Sequence, residues 1–581
     1  MIRKWFKETY YYQGSHWLYG RCLGLITFIA FLSYWYQADA LIGENGLSPW
    51  TESQAKIEQW CALNPELNKW NIRPTLLWWE PLANHQILFP IGSVCALFLT
   101  IGFVPILSAL VSYMIYLSLM VVGEPFLSFQ WDILLCEALL LSLPFLPLTK
   151  FHKIGDHYKV SWIARYLIIA LLAKLMIESG IVKFTSFGAN NENTWRDFSA
   201  LNYHYWTQPL PHGLSTWIHS LPHWFDRISL YLMYGIELIL PLFLFLPGIF
   251  RRIGVIGQIL LQIAILLSGN YGFFNLLTLC LCIPLLDNHM LPRFITKHWN
   301  SHNNVSVVPV FKSDFTPIFN SLKWVYLGCA WFFFGVTAYG HFTHDLRENK
   351  INPVINLDAS WTEPYSKFVR PTRAFNSYGL FRVMTTTRPE IIIEGSLHGK
   401  NWTPYTFCYK PTNPKQVPRF AGPHMPRIDW QMWFEGLNYE RFAAHPFSRS
   451  LYHKFISMIA LGKATEDFKD LRKVLGKQEY QKLVQSPPEI QQRVLQNYNS
   501  LYNAFASRSL WFGKLLACIF EHRTEIMKQL GQQIEDLPPK PNYLRISLAH
   551  YSFADQEINV GQKDIWQVTP IKEASFVISN Q

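Results

Sequence analysis

Long apolar runs separated by short polar breaks fill the first 344 residues of the chain. An apolar stretch of about 18 residues with few charges is typical of a helix that crosses a bilayer. This pattern predicts nine membrane spans, near residues 17–37, 86–103, 105–122, 127–147, 161–182, 229–248, 253–269, 272–287 and 321–340. We therefore predict an α-helical polytopic membrane bundle over residues 1–344.

The hydrophobic pattern changes from about residue 345 onwards. Alternation of apolar and polar residues predicts strands there, and an apolar residue every three or four positions predicts helices. In chain order the predicted elements are a strand at 370–384, a hairpin at 389–411 that turns at His398–Asn401, helices at 451–476, 488–505 and 509–535, and a last strand at 543–553. The predicted fold is therefore a helical membrane bundle followed by an extramembrane α+β domain over residues 345–581.

Composition supports a membrane protein, because 50% of the residues are hydrophobic and only 16% are charged, against about 25% charged in soluble domains. Lys and Arg cluster at the N-terminus, in the loop 148–160 and near residue 250, whereas the loop 40–85 is acidic. Positively charged loops stay in the cytoplasm. We therefore predict a cytoplasmic N-terminus and a tail, beyond His341, on the far side of the membrane.

The formal net charge of +11 does not indicate a nucleic-acid partner, because no RNA- or DNA-binding motif accompanies it. Cys280 and Cys282 form C-x-C, which differs from the C-x-x-C of a redox or zinc site. We therefore predict no metal, no cofactor and no nucleic acid, and the lipid bilayer as one partner.

Two acidic residues, Asp132 and Glu137, interrupt the apolar run LSFQWDILLCEALLLS. A lone acid in the middle of a bilayer costs roughly 2.5–3.5 kcal/mol on insertion scales. Residues five apart on a helix point about 140° away from each other. We therefore expect the two carboxylates to have different partners inside the bundle.

Further polar side chains follow in the later spans. Lys174 and Glu178 are four apart, which predicts an ion pair on one helix face, and Lys183 lies near the outer end of the same run. Two interpretations are open. These residues cross-link helices, or they line a polar cavity that handles a substrate or a proton.

Several long motifs resemble the lipase maturation factor family. They are FLSFQWDILLCEA, NYHYWTQPLPHGLSTWIHSLP and SGNYGFFNLLTLCLCIPLLD in the membrane half, and FNSYGLFRVMTTTRPEIIIEGSLHGKNWTPYTFCYKP and PHMPRIDWQMWFEGL in the tail. Within the membrane motifs, the residues that carry the resemblance are Asn202, Tyr203, Gln208, Pro209, Asn270, Tyr271, Phe274 and Asn275. Residues near 439–508 depart from the family pattern as an extra helical insertion.

The resemblance implies a chaperone-like, non-enzymatic membrane protein that helps homodimeric lipases fold, assemble and leave. It implies the endoplasmic reticulum membrane for a eukaryotic source and the inner membrane for a bacterial one. The membrane half is also distantly similar to the membrane domain of the vitamin K-dependent γ-glutamyl carboxylase. That similarity implies an alternative, an integral-membrane enzyme for a lipid or protein substrate. Its acid and base groups would be Lys183, Glu178, Asp132 and Glu137.

The exported tail is the predicted binding part for a client lipase or another exported enzyme. A strand edge framed by polar groups can hold an extended partner, and the basic charge of the tail steers an acidic client. The candidate client-binding residues are Arg388, Glu390, Glu394, Asp429, Trp430 and Gln431. The alternative is that aromatic residues of these motifs form the core of the tail, namely Tyr378, Phe381, Trp430 and Trp433.

Overall fold

The computed structural model of the chain describes residues 12–158, 160–188, 192–299, 316–348, 358–531, 539–554 and 564–580. Helices dominate the part that precedes residue 349. In chain order, those of six residues or more are α1 (Gln13–Ile42), α2 (Trp50–Leu63), α3 (His85–Ile101), α4 (Pro105–Val122), α5 (Gln130–Ser142), α6 (Trp162–Thr185), α7 (Ala200–Thr207), α8 (Gly213–His219), α9 (His223–Tyr234), α10 (Ile249–Ser268), α11 (Phe274–Cys282) and α12 (Thr316–Glu348).

A helix lies at each of the nine predicted apolar runs. Among the described residues, α1, α4 and α10 are long and apolar enough to cross a membrane, and α3 is a shorter apolar helix. The run predicted near 229–248 is not continuous, because a π-helical turn at Gly235–Ile239 separates α9 from a short helix at Leu240–Phe243. The helical fold of this half is confirmed, and the number of spans stays a prediction.

Helices α1 and α3 pack closely because each presents a glycine to the other. A Cβ on Gly24 of α1 would lie 2.5 Å from the backbone nitrogen of Thr100 in α3. A Cβ on Gly92 of α3 would lie 2.5 Å from the Phe31 ring of α1. Small residues at such contacts let helix backbones approach each other in membranes, so these two glycines set the distance between α1 and α3.

We expect Gly24→Ala to lower the apparent melting temperature of the detergent-solubilised chain. The added methyl group meets backbone that has little room to move, and overpacking of this kind costs about 1–3 kcal/mol. Gly328→Ala in α12 is the matched control, since its Cβ meets nothing within 4 Å and alanine gains about 0.5–1 kcal/mol in a helix. Equal melting temperatures for the two variants would show that the α1–α3 contact adapts without cost.

The tail is an α+β unit built on a four-stranded antiparallel sheet. Its strands are β1 (Pro389–Ser396), β2 (Thr403–Pro404), β3 (Tyr543–Phe553) and β4 (Trp566–Ser579), in the spatial order β2–β1–β3–β4. β1 pairs with β3 along its whole length. The tail helices of six residues or more are α13 (Glu363–Val369), α14 (Arg427–Ala443), α15 (Pro446–Ala460), α16 (Lys477–Val484), α17 (Pro488–Arg508), α18 (Leu510–Glu521) and α19 (Thr524–Gln529).

Two strand predictions are confirmed and one is wrong. The hairpin predicted at 389–411 exists as β1 and β2, and the last predicted strand, 543–553, is β3. Residues 370–384 form turns instead of a strand. Arg373 and Phe381 have positive φ angles of 47° and 54°, which an extended strand does not allow. Backbone N–H groups of this segment bond to side chains of the bundle.

The structure adds elements that the hydrophobic pattern did not predict. β4 forms one edge of the sheet, and α2 lies in the loop 40–85. The helix predicted at 509–535 is broken, because His522 has a positive φ of 59° between α18 and α19. The helix predicted at 451–476 is also broken, since α15 ends at Ala460 and only short helices follow it.

One continuous hydrophobic core joins the bundle and the tail. Trp131 of α5 meets Trp430 of α14 edge to face, with ring centroids 4.9 Å apart. Phe126 meets Trp511 of α18 in the same way at 5.6 Å. Edge-to-face aromatic pairs stabilise a fold by more than the burial of their apolar area alone. The two predicted parts therefore share their packing, and the division between them at residue 344, which falls within α12, stays a prediction.

Candidate functional site

The acidic side chains that are buried in the helical bundle include Asp132, Glu137, Glu178 and Glu237. The tail supplies hydrogen-bond donors to the first three of them. Buried charges are tolerated when they are paired and hydrogen-bonded. The candidate functional site is therefore the contact between the tail and the bundle, which we call the docking contact.

Asp132, in the first turn of α5, is held by Arg427 at the start of α14. Arg427 Nη1 lies 2.6 Å from Asp132 Oδ2, and Nη2 lies 2.7 Å from Oδ1. Neither side chain is exposed. Tyr116 of α4 also donates to Oδ1 at 2.6 Å. A buried bidentate pair is costly to break, because either partner alone is left as a bare charge.

The residues just before Arg427 are tied to α1. Gln37 accepts from the Arg427 backbone N–H at 2.8 Å and donates to the Met425 carbonyl at 2.9 Å. Ser33 accepts from the Met425 N–H at 2.9 Å and lies 3.0 Å from Nδ1 of His424. Polar side chains of a membrane helix thus satisfy the backbone of an extended tail segment, which buried backbone requires.

Glu137, on another face of α5, is held by Lys174 of α6 and by two residues of the tail. Lys174 Nζ lies 3.0 Å from Oε1. Oε2 accepts from the backbone and side-chain nitrogens of Asn376, at 3.0 Å each, and from the Tyr378 hydroxyl at 2.7 Å. Asp132 and Glu137 therefore have different partners, as expected from their spacing.

Glu178 of α6 binds the tail backbone. Its Oε2 accepts from the Tyr378 N–H at 2.8 Å. The predicted ion pair between Lys174 and Glu178 is not formed, because Lys174 reaches across to Glu137 instead. The other oxygen, Oε1, lies 3.8 Å from Nδ1 of His341 in α12. The i,i+4 spacing predicted the wrong partner because a neighbouring helix offers a better one.

The tail chain passes very close to α6 at Gly379. The Gly379 N–H donates to Oε1 of Gln130, the first residue of α5, at 3.1 Å. A Cβ at this position would lie 2.8 Å from the Val182 side chain. Glycine therefore permits an approach of the tail to α6 that a larger residue would block.

Lys183 forms a separate pair with Glu237. Its Nζ lies 2.5 Å from Oε1 and 2.6 Å from Oε2, and it lies 5.3 Å from the ring centroid of Trp195. Glu237 sits in the π-helical turn after α9. The residues of the enzyme alternative therefore lie in three separate places: Asp132, then Glu137 with Glu178, then Lys183.

Arg388, a candidate client-binding residue, is fully buried and binds the loop after α7. Nη1 donates to the Trp206 carbonyl at 2.9 Å, and Nη2 donates to the Pro209 carbonyl at 2.8 Å. The Gln208 carbonyl accepts a further bond from Nη1. Arg388 thus ties the start of β1 to a loop of the membrane half.

Glu390 and Glu394 lie on β1 with basic partners. Glu390 is fully buried between Arg388 and Lys410, at 2.7 and 2.8 Å. Glu394 forms a bidentate pair with Arg545 of β3, at 2.6 and 2.7 Å. Arg545 lies directly opposite Glu394 on β3, and such cross-strand pairs of opposite charge stabilise a sheet.

The remaining client-binding candidates, Asp429, Trp430 and Gln431, lie in the first turn of α14 and are buried. Asp429 Oδ1 accepts from the backbone nitrogens of Tyr409 and Lys410 at 2.9 and 2.8 Å. Of the six candidates, only Glu394 is partly exposed. In this conformation the other five support the docking contact or the tail core, and contact of any of the six with a client stays a prediction.

Two family models match the two sides of the docking contact. Residues 15–293 match the lipase maturation factor transmembrane domain, and residues 374–463 match the lipase maturation factor C-terminal domain. The chain is 30% identical over 525 residues to lipase maturation factor 2 of Xenopus tropicalis, which covers 73% of this chain and 71% of that protein. The chain belongs to the lipase maturation factor family.

Other lipase maturation factors show similar coverage. Lipase maturation factor 2 of Homo sapiens is 30% identical over 515 residues, which is 70% of each chain. Lipase maturation factor 1 of Mus musculus is 27% identical over 438 residues, which is 73% of this chain and 74% of that protein. No solved structure gives a significant match.

The docking contact joins the two regions by which a lipase maturation factor is recognised. The transmembrane match contains Asp132 and Glu137. The C-terminal match contains Asn376, Tyr378 and Arg427. The Asp132–Arg427 pair and the bonds from Asn376 and Tyr378 to Glu137 therefore lie within matched residues.

The lipase maturation factor motif residues of the membrane half form a second polar network. Tyr271 donates to Gln208 Oε1 at 2.7 Å and lies 3.1 Å from His204 Nε2. Asn270 accepts from the Ala421 N–H of the tail at 2.7 Å. These hydrogen bonds connect the loop after α7 to Tyr271, and Asn270 to the tail, so the set helps to position the loop against the tail.

The other motif residues contribute packing and helix cross-links. Asn275 of α11 donates to Gln262 of α10 at 2.9 Å, and the Asn202 carbonyl accepts from Trp206 Nε1 at 3.0 Å. Two further motif residues lie in or against the hydrophobic core, namely Tyr203 and Phe274. Within the described ranges, no group of three or more His, Cys, Asp or Glu side chains is placed to hold a metal ion.

Arg427 is a residue of the docking contact that the sequence pattern missed. It lies in the tail motif PHMPRIDWQMWFEGL, 295 positions from its partner Asp132. The one signal was charge balance, because an acid inside a membrane span has to meet a cation or a set of donors. No local spacing rule connects two residues so far apart.

Burial raises the pKa of the Asp429 carboxyl to about 6, from an ordinary value of 3.8. A pKa that is higher in the folded state stabilises the fold at low pH, and this contribution is lost as pH rises from about 4 to about 6. We expect Asp429→Asn, which cannot ionise, to become more stable relative to the unchanged chain over this range, by on the order of 3 kcal/mol. Melting temperatures of both chains from pH 4 to pH 7 check this, and a constant difference would contradict it.

Proposed function

We propose that this chain is a membrane-anchored maturation factor that helps exported enzymes, and lipases above all, to fold. The relatives support this, since they are named lipase maturation factors. The observation that carries the proposal is that Asp132, Glu137 and Glu237 each lie against an arginine or lysine of the same chain. Carboxylates paired in this way favour a scaffold over acid–base chemistry.

The docking contact gives the tail a fixed orientation relative to the bilayer. Newly translocated clients expose apolar surface and unpaired strand edges. In the tail sheet, β4 is an edge strand, to which an extended client segment can add by β-augmentation. A cavity of about 450 Å³ beside β4 is lined by Lys454, Lys463, Lys473 and Phe576. We therefore propose that an acidic, extended client segment binds along β4.

We further propose that the N-terminus lies in the cytoplasm and the tail in the endoplasmic reticulum lumen or the periplasm. The distribution of Lys and Arg among the loops supports this orientation. A fluorescent reporter that matures only in the cytoplasm, fused after Gln581, should give no signal. The same reporter fused before the first residue should be bright. Bright cells from the first fusion would contradict the proposed orientation.

The functional test uses the full chain, because the tail shares its hydrophobic core with the bundle. The chain is co-expressed with a secreted lipase in cells that lack their own maturation factors. We expect the unchanged chain to raise the lipase activity per secreted mass. The Arg427→Met chain should leave this activity at background. The Arg545→Met chain, which loses only a part-exposed ion pair, should raise it as much as the unchanged chain does. Unchanged lipase activity beside a folded, membrane-inserted chain would contradict the proposal.

One observation favours the enzyme alternative. Glu178 Oε1 and His341 Nδ1 are both buried without a hydrogen-bond partner in the described part of the chain, and they lie 3.8 Å apart. A carboxylate and an imidazole can exchange a proton when they come within hydrogen-bond reach, and such contacts often tighten only when a substrate is bound. The variant His341→Gln distinguishes the enzyme alternative from the proposed maturation factor without an enzymatic step. Loss of lipase maturation with unchanged melting temperature supports a proton step, and normal maturation removes the alternative.

A further inference from the structure

Two arginines, Arg165 and Arg251, meet where α6 and α10 begin, and neither forms an ion pair with a carboxylate of the described residues. Arg165, in the first turn of α6, is 5% exposed. Its Nε donates to the Pro284 carbonyl at 2.6 Å, and its guanidinium carbon lies 3.3 Å from the ring centroid of Tyr12. Its Nη2 is buried and has no hydrogen-bond partner among the described residues.

Arg251, in the first turn of α10, faces the same place. Its Nη1 and Nη2 donate to the hydroxyls of Tyr12 and Tyr166 at 2.7 and 3.1 Å. Its Nε is buried and, within the described ranges, has no partner. The next residue along the chain, Arg252, differs, because it is exposed and lies 3.3 Å from Asp287. Among the described residues, Arg251 is therefore held in place by neutral hydroxyls, which do not balance its charge.

Two neighbouring like charges with unfilled donors are expensive here, because Arg165 is buried and Arg251 is half-buried with a buried Nε. Buried polar groups in native proteins almost always have a partner, and a buried charge without one is costly. The N-terminal ends of α6 and α10 add partial positive charge to the same region. An anion that accepts from Arg165 Nη2 and Arg251 Nε removes these costs together, and a tetrahedral oxyanion has enough oxygens to do so.

The surroundings of the two arginines are apolar and exposed. α10 is one of the described helices that are long and apolar enough to cross a membrane. Exposed hydrophobic side chains flank the start of α6 and α10, namely Trp162, Ile249, Phe250 and Ile253. Tryptophan and arginine at the end of a membrane helix lie at the level of the lipid headgroups. The oxyanion nearest to such a place is the phosphate of a lipid.

We propose that Arg165 and Arg251 bind the phosphate of an anionic phospholipid headgroup. Guanidinium groups match phosphate through paired, charge-assisted hydrogen bonds. Basic pockets between membrane helices are a known way to hold anionic headgroups. The site lies about 20 Å along α6 from Glu178 and the docked tail, at 1.5 Å per residue. It therefore acts at the opposite end of the bundle and does not depend on the proposed lipase client.

Native mass spectrometry of the purified full chain tests the site. The chain is released from micelles after incubation with equal amounts of phosphatidylglycerol and phosphatidylcholine. We expect the unchanged chain to retain phosphatidylglycerol preferentially, and the Arg165→Gln, Arg251→Gln double variant to retain about tenfold less of it, as for the loss of hydrogen bonds to a charged group. Arg252→Gln is the matched control and should retain as much as the unchanged chain.

Three results would overturn the proposal. The first is equal retention of phosphatidylglycerol by the unchanged chain and the double variant. The second is equal retention of the two lipids by the unchanged chain. The third is that millimolar inorganic phosphate displaces the lipid and raises the melting temperature of the chain as much as the lipid does. That result would identify a free anion as the ligand. Should the double variant not fold, Arg251→Lys, which lacks the Nε donor, must retain less lipid than Arg252→Lys, and equal retention also overturns the site.

Discussion

Arg427→Met is expected to lower the free energy of unfolding of the chain by about 3–5 kcal/mol, the usual cost of removing one partner from a buried ion pair. The substitution leaves the Asp132 carboxyl fully buried without its cation, and among the described side chains Tyr116 remains as its donor. Unfolding in detergent, followed by tryptophan fluorescence, measures the loss. The probe is well placed, because Trp131 and Trp430 meet 4.9 Å apart beside this pair.

Arg545→Met is the matched control for this prediction. Arg545 makes the same bidentate contact with Glu394, at 2.6 and 2.7 Å, but its side chain is 35% exposed. An exposed ion pair contributes only about 0–1 kcal/mol. Asp132→Leu combined with Arg427→Met removes both charges and should recover most of the loss, since apolar replacement of a whole buried pair is often neutral. A cost for Arg427→Met no larger than for Arg545→Met would show that the pair does not hold the tail.

Helices and acid burial were predictable because their causes are local. The length of an apolar run can be read directly from the sequence, and each of the nine predicted runs contains a helix. The cost of an acid in a bilayer depends on its immediate surroundings, so the need of Asp132 and Glu137 for partners followed from the sequence. β3 was predictable for the same reason, because its alternation of buried and part-buried residues is visible in the chain.

The partners themselves were not predictable, because tertiary contacts decide them. Spacing assigned Lys174 to Glu178, yet Lys174 pairs with Glu137 of another helix. Residues 370–384 have the composition of a strand but take turns, since their N–H groups find carboxylates of the bundle instead of a neighbouring strand. Burial by a second part of the chain is the information that a single sequence lacks.

β4 was missed for a different physical reason. It is an edge strand, with Pro570 in its middle and an irregular register opposite Ser547 and Leu548. Most of its residues are at least partly exposed, so no apolar alternation marks it. Proline and bulges protect edges from unwanted pairing, and the same devices remove the sequence pattern of a strand. The proposed client edge is therefore the part of the sheet that sequence patterns describe least well.

Glu137→Leu is expected to cost about 3–5 kcal/mol as well, because Lys174 is left as a bare buried charge. The tail also loses an acceptor, since Asn376 and Tyr378 both donate to Glu137 Oε2. Melting in detergent measures the stability, and hydrogen exchange over residues 374–384 should become faster. Tyr378→Phe removes one of these donors and is the reference variant, with an expected loss of stability of about 1–3 kcal/mol. If Glu137→Leu costs no more than Tyr378→Phe, the carboxylate is not the centre of the docking contact.

The double variant Glu137→Leu, Lys174→Met separates the scaffold from the enzyme alternative. It removes both charges, so most of the lost stability should return, as for other buried pairs replaced by apolar side chains. If Glu137 acts only by holding the tail, lipase maturation should return together with stability. If Glu137 acts as an acid or base, maturation should stay absent although the melting temperature has recovered. We expect maturation to return, because Lys174, Asn376 and Tyr378 already occupy both carboxylate oxygens of Glu137.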